Sequence, residues 1–297
     1  MPLRQPLSDS VVVVTGASSG IGAATAQALA ACGTSVVLAA RGTESLHDVA
    51  KRCIARGGAA LPVPTDVTDP DAVEELAAQA EARFGRIDGW VNNAAVGLYA
   101  HLADAPIDEV RRTLEIDVFG YLYGVQAALP RLRRAGGGVI VNIASVLGVV
   151  TVPWMGAYNI SKYAVRALSA TLRQELGTRP VSVCTVLPAS IDTPFYQSAA
   201  NHTGRTPRPI PPVYRPELVA DTVVRVLRRP RREVYAGRLG HVLALQARFA
   251  PALTERLMAW YGDRAALGPA PAAQTRGALF EPHVAEESPM PAQGIQA

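Results

Sequence analysis

Apolar residues along this chain alternate between two patterns. Short runs at 11–15, 35–40, 60–65, 88–91, 139–144, 181–187 and 233–236 read as strands, led by Val11-Val12-Val13-Val14, a β-branched stretch with no polar break. Such a run is what a strand buried on both faces of a parallel sheet requires. Between them, 23–31, 43–56, 69–83, 106–134, 158–177 and 216–228 read as helices; the third opens on Asp69-Pro70-Asp71, with acidic residues in its first turn. Strand and helix in turn predict an α/β fold, a doubly wound parallel sheet with right-handed crossovers, over residues 8–240. An apolar-rich helix at 241–261, broken at Pro251, predicts a C-terminal helical extension over 241–267. From Gly268 to residue 297 the chain turns to proline, alanine, glutamine and glutamate, and the expectation is a disordered tail.

Open sheets of this kind bind ligands beyond the carboxyl ends of their strands. Gly16, Arg41, Asp66, Asn92, Ser145 and Pro188 all follow predicted strands and therefore share one rim. The first strand runs into Gly16-Ala17-Ser18-Ser19-Gly20-Ile21-Gly22 and then a helix. A glycine-rich turn at a helix N-terminus lets backbone amides and the helix dipole receive a pyrophosphate. Farther on, Tyr158 and Lys162 stand one helical turn apart and share a face. A lysine cation near a phenol favours the phenolate and is expected to lower the tyrosine's pKa toward neutrality. Ser145 adds a hydroxyl to hold a substrate oxygen.

Taken together, Thr15-Gly16-Ala17-Ser18-Ser19-Gly20-Ile21-Gly22, Asn92-Asn93-Ala94-Ala95, Ser145 and Tyr158-x-x-x-Lys162 resemble the short-chain dehydrogenase/reductase family over residues 8 to 240. The resemblance implies a Rossmann-like fold and hydride transfer between a nicotinamide cofactor and an alcohol or carbonyl. It implies Tyr158 as general acid/base, Ser145 as the polarising hydroxyl, and Lys162 as partner of both the tyrosine and the nicotinamide ribose. Asp66 and Val67 would flank the adenine, Asn92 and Ala94 would lie along the cofactor, and Pro188, Ile191 and Thr193 would meet its nicotinamide end. The family's usual asparagine before the fifth strand is replaced by Asp117, which would relay protons itself or partly neutralise Lys162. The family pattern further implies a homodimer or homotetramer.

The second strand ends in Ala39-Ala40-Arg41-Gly42, with an arginine and no acid. A guanidinium suits a 2′-phosphate, so NADP(H) is favoured over NAD(H). Two other readings stay open: an NADP-binding regulatory or scaffold protein that turns over poorly because of Asp117, and an epimerase or dehydratase using the same Tyr-Lys pair.

Composition changes the picture little. With 297 residues, 49% of them hydrophobic, the chain suits one large core. A formal net charge of +4 with 6% aromatics gives no argument for nucleic acid. Three scattered cysteines and five histidines show no metal-ligand spacing, so no metal site is expected. Neither a secretory leader nor a membrane-spanning run is visible, and a reducing cytoplasm is the expected compartment. The proline-rich stretch 189–215 reads as a lid over the site, with Tyr196 and His202 as candidate substrate contacts and an apolar character suited to a small hydrophobic carbonyl or alcohol. Arg225, Arg228, Arg229, Arg231, Arg232 and Arg238 read as a solvated basic run, with contact to an anionic membrane as the lesser reading.

Overall fold

The computed structural model describes residues 3–282. Seven strands form one sheet: β1 (Val11–Thr15), β2 (Ser35–Ala40), β3 (Ala60–Pro64), β4 (Gly89–Asn92), β5 (Gly138–Ile143), β6 (Val181–Pro188) and β7 (Glu233–Ala236). Their spatial order is β7-β6-β5-β4-β1-β2-β3 and every neighbouring pair is parallel. The chain starts in the middle, winds out to β3, then returns and winds the other way, which is the doubly wound arrangement expected. The reversal lies between β1 and β4, where such sheets carry their ligand crevice.

Both sheet faces are covered, so β1, β4 and β5 are buried along their whole length. Val12, Val14, Val36 and Leu38 pack with α1 (Gly20–Ala30), α2 (Thr43–Ala55) and α7 (Pro216–Arg228). On the other face, Val11, Val13, Val37 and Ile140 pack with α3 (Pro70–Phe84), α5 (Gly120–Arg134) and α6 (Gly156–Leu176). Local chemistry sets the helix ends. At α3, Asp69 caps the first turn by accepting from the amides of Asp71 and Ala72, Pro70 occupies the first position, and Gly85 ends the helix at φ 77°.

The predicted single helix over 106–134 is in fact three pieces. A π-helical turn, Glu115–Phe119, separates α4 (Ile107–Leu114) from α5. The extra residue of a π turn changes which side chains face the sheet, and here it sends Asp117 fully inward. After β7 come α8 (Arg238–Phe249) and α9 (Pro251–Ala265), divided at Ala250 beside the predicted break. No helix among the described residues is long and apolar enough to cross a membrane.

Two expectations change. The tail expected from Gly268 is instead ordered as far as it is described. Leu267–Pro271 pairs antiparallel with Arg205–Pro207, Thr275 exchanges backbone bonds with Asn201, and Leu279 is buried in the α3/α5 side of the core. Residues 283–297 lie outside the described residues. Composition alone gave no sign of this, because the order comes from long-range pairing and one anchor leucine rather than from periodicity. Asn92, read as a cofactor contact, is spent inside the fold. Its Oδ1 accepts from Trp90 Nε1 at 2.8 Å, and its Nδ2 donates to Asn142 Oδ1 at 2.9 Å and to the Tyr121 carbonyl at 3.2 Å. Asn142 Nδ2 continues the chain to Ser169 Oγ at 2.9 Å, linking β4, β5, α5 and α6 through buried amides.

Asn92→Ala would strand the Trp90 and Asn142 groups in a water-free core. The expected loss is about 2–4 kcal/mol of unfolding free energy, read as a lowered midpoint in urea. A midpoint equal to the parent's would show that this network carries no net stability.

Candidate active site

The glycine turn follows β1 and is locked from β4. Gly16 (φ 63°) and Gly20 (φ 50°) take backbone conformations that a side chain disfavours. A Cβ on Gly22 would fall 2.1 Å from the Gly16 carbonyl oxygen, so the first turn of α1 rests directly on the loop. Asn93 Nδ2 donates to the carbonyls of Thr15 (2.9 Å) and Gly16 (3.2 Å), while Thr15 Oγ1 accepts from the amides of Asn93 and Ala94. Asn93, rather than Asn92, is thus the residue that shapes the turn. Adjacent asparagines in a strand-end turn look alike in sequence; only the pleat decides which one points down into the core. Ser19 heads α1 without a side-chain capping bond, so no hydroxyl competes for the first-turn amides.

From this turn a continuous cleft of about 1220 Å³ runs along the rim. Gly16, Ser18, Ser19, Gly20, Ile21, Arg41, Asp66 and Val67 line one end, with Ala94 midway. Ser145, Tyr158, Lys162, Pro188, Ile191 and Thr193 line the other. Gly22, Asn92 and Asp117 stand behind its wall.

At the second end, α6 carries Tyr158 and Lys162, and Ser145 follows β5. The Ser145 Oγ accepts from the Leu147 amide at 3.1 Å, which fixes the serine at the head of a short turn, Val146–Gly148. Lys162 is 1% exposed. Its Nζ lies 5.3 Å from the centre of the Tyr158 ring, donates to the Ile143 carbonyl at 3.4 Å, and stands 3.6 Å from Asp117 Oδ2. Asp117 accepts from the Val96 amide (2.9 Å) through Oδ1 and from Ser161 Oγ (2.8 Å) through Oδ2. Burial pushes Lys162 below the ordinary lysine range while Asp117 holds it up. Burial raises Asp117 in turn, with Lys162 pulling it back. The expected lowering of Tyr158 is not what this arrangement produces. Burial first, then the charge of Asp117, holds its phenol well above the usual range, and a hydrogen bond with Ser145 opposes them.

At the first end, Arg41 is tied down from an unexpected direction. Its guanidinium donates to the carbonyls of Ala278 (2.5 Å), Leu279 (3.4 Å) and Glu281 (3.4 Å), all in the C-terminal strap. Asp66 pairs with Arg112 (2.9 Å) and accepts from the Thr68 amide and hydroxyl. Burial raises the Asp66 carboxyl, but those bonds outweigh it and leave it below the usual carboxylate range.

Around Tyr158 the wall is apolar. Tyr99, Leu147, Val152, Met155 and Met258 line it, as do lid residues Phe195, Tyr196 and Ile210. The Phe195 ring lies 5.1 Å from that of Tyr158, and Tyr196 bonds to Ser190 Oγ at 3.0 Å. The stretch 189–215 therefore does face the cleft. His202 does not; it bonds to Glu109 at 2.8 Å, away from it.

A model of the short chain dehydrogenase family matches residues 10–204. The chain belongs to that family. Among short chain dehydrogenases it is similar to the uncharacterized oxidoreductase YxnA of Bacillus subtilis (strain 168), 34% identical over 256 residues, covering 85% of this chain and 72% of that one. An uncharacterized oxidoreductase of Staphylococcus aureus (strain USA300) is 35% identical over 225 residues, 76% of this chain and 94% of its own. Two solved family structures superpose well. One is an alcohol dehydrogenase of Thermococcus sibiricus complexed with 5-hydroxy-NADP (TM-score 0.68, 29% identity, 76% of this chain and 95% of that one). The other is a short chain dehydrogenase/reductase of Burkholderia phymatum in complex with NAD (TM-score 0.75, 25% identity, 84% and 96%). The chain is thus an oxidoreductase of this family, and its neighbours bind nicotinamide cofactors of both kinds.

Asp117→Asn tests the buried carboxylate. Asparagine has the same shape, and can accept from Val96 and donate to the Ser161 hydroxyl, but it removes the negative charge that raises Tyr158. Tyr158 should then ionise at lower pH. If Tyr158 takes the proton in an alcohol oxidation, the rising limb of the pH–rate profile is expected to move to lower pH. A limb that stays in place would show that Asp117 does not act on Tyr158.

Proposed function

We propose that this protein is an NADP(H)-dependent reductase or dehydrogenase interconverting an apolar ketone or aldehyde and its alcohol. The observation that carries the reading is that Ser145, Tyr158 and Lys162 face the same cleft as the glycine turn. The cleft fits an extended dinucleotide. The turn is glycine wherever backbone must come close, α1 offers uncapped amides for a pyrophosphate, and Arg41 waits where an adenosine ribose would end. A nicotinamide, when bound, supplies the hydride chemistry.

The protein's own part is to hold the substrate and move a proton. Ser145 Oγ, already fixed by Leu147, presents its hydrogen to the substrate oxygen. Tyr158 gives its phenolic proton to that oxygen in reduction and takes it back in oxidation. A phenol held above its usual range is a competent donor, and a developing alkoxide beside it is a base strong enough to use it. Lys162 stabilises the resulting phenolate through its charge, and Asp117 keeps the buried ammonium charged. The apolar wall excludes water and favours a substrate whose carbonyl is flanked by hydrocarbon.

The case for a 2′-phosphate rests on charge. The strap bonds Arg41 through carbonyls, which accept its N–H groups without bringing a counter-ion. Asp66, whose field Arg41 feels, is itself bonded to Arg112. The guanidinium is thus oriented yet still in want of an anion.

Tyr158→Phe should lower turnover of carbonyl substrates by about 10²–10⁴-fold, with cofactor binding by fluorescence titration retained; full turnover in this variant would overturn the assigned acid. Arg41→Ala should reduce the preference for NADPH over NADH, as a ratio of kcat/KM values, by about 10- to 100-fold. An unchanged ratio would remove Arg41 from the cofactor site.

A further inference from the structure

The α8–α9 hairpin is built with its apolar pattern reversed. Its buried positions are small: Gly240, Thr254, Gly262 and Ala265. A Cβ on Gly240 would meet Val146 at 2.8 Å and one on Gly262 would meet Pro153 at 3.0 Å, so the inward faces sit close against the site's own loops. Leu243, Met258 and Tyr261 are half-buried and turn to the cleft, but the other large apolar side chains point out. On α8 these are Val242, Leu245 and Phe249, and on α9 Leu253, Leu257 and Trp260, each trio spaced to form one stripe. Phe249 is 75% exposed, Leu245 61% and Trp260 60%. A helix pair that packs against its own domain normally shows the opposite arrangement. Large side chains outward mark a face meant for another apolar phase.

The charge around these stripes identifies that phase. Arg238, Arg248, Arg256 and Arg264 are exposed on the hairpin. Of its two acids, Glu255 is exposed and Asp263 is bonded to Trp154 Nε1 at 2.9 Å. The Arg248 guanidinium lies 5.8 Å from the Phe249 ring centre and that of Arg264 lies 4.9 Å from Trp260. Aromatic and aliphatic stripes flanked by arginines match the interface between acyl chains and anionic headgroups. A second copy of the chain matches less well, because four exposed arginines against the single exposed acid Glu255 leave a self-contact with an excess of like charge. The same face opens into the candidate site: Leu239, Leu257 and Trp260 are exposed and are also part of the cleft wall.

We propose that the outer face of the α8–α9 hairpin docks on an anionic lipid bilayer, with the mouth of the cleft turned to the lipid, so that an apolar substrate enters without crossing water. The docking stands by itself; the entry of substrate rests on the carbonyl-reductase reading above.

The test uses the full chain with vesicles of phosphatidylcholine alone and of phosphatidylcholine mixed equally with phosphatidylglycerol. Flotation with the mixed vesicles, weaker with the neutral ones and weakened by salt, is expected. Leu245→Glu combined with Phe249→Glu, two residues that line no part of the cleft, should lower that partition about tenfold or more. The variant's thermal melt and its turnover of a water-soluble ketone should match the parent's, whereas turnover of a long-chain ketone embedded in the vesicles should fall. Flotation that is absent, or unchanged in the variant, overturns the docking. A dimer seen by sedimentation and dissociated by the same two substitutions also overturns it, and gives the face to a second copy. If the parent reduces no carbonyl at all, the functional reading fails and flotation alone decides the docking.

Discussion

A lysine with almost no access to water is the constraint around which this site is organised. An ammonium group taken out of water is costly unless a partner and hydrogen-bond acceptors surround it. Lys162 finds Asp117 and the Ile143 carbonyl. Asp117 in turn must be brought through the packed side of α4–α5, and the π-helical turn does that. Its second oxygen is shared with Ser161, its first with the Val96 amide just beyond the β4 loop that carries Asn93. One buried charge therefore ties α6, the α4–α5 junction and the loop that shapes the glycine turn into a single arrangement. The Tyr158 end and the glycine-turn end of the cleft are held by the same set of bonds.

That coupling explains the direction in which Tyr158 is displaced. With an asparagine at 117 the lysine would lose the charge that holds it up, and the phenol would lose the negative charge beside it. With aspartate, burial first and then the carboxylate's own charge hold the phenol up. Both effects favour the protonated phenol at Tyr158.

The strands and most helices were readable in the sequence because each is fixed by local periodicity, and the sheet's direction follows from their alternation. The glycine turn, Ser145, Tyr158 and Lys162 were readable because their spacing relative to those strands places them on one rim. What could not be read depends on contacts distant in sequence. Asn92 and Asn93 differ only in which way the pleat turns them. The π turn at Glu115–Phe119 leaves no mark in a helical period. The segment after Gly268 has the composition of a tail, yet Leu279 finds a buried seat and Arg205 holds the carbonyls of Leu267 and Gly268. Its order belongs to its partners rather than to itself.

The strap joins parts that the chain otherwise keeps separate. Its strand Leu267–Pro271 is paired with the lid at Arg205–Pro207, and a few residues later its carbonyls hold Arg41 at the far end of the cleft. It thus works as a tie rod between the 189–215 wall of the cleft and Arg41. By linkage, whatever coupling the strap carries between the hold on Arg41 and the lid acts equally in both directions. The two regions then share one mechanical element, built from the fifteen residues 268–282 whose composition reads as a tail.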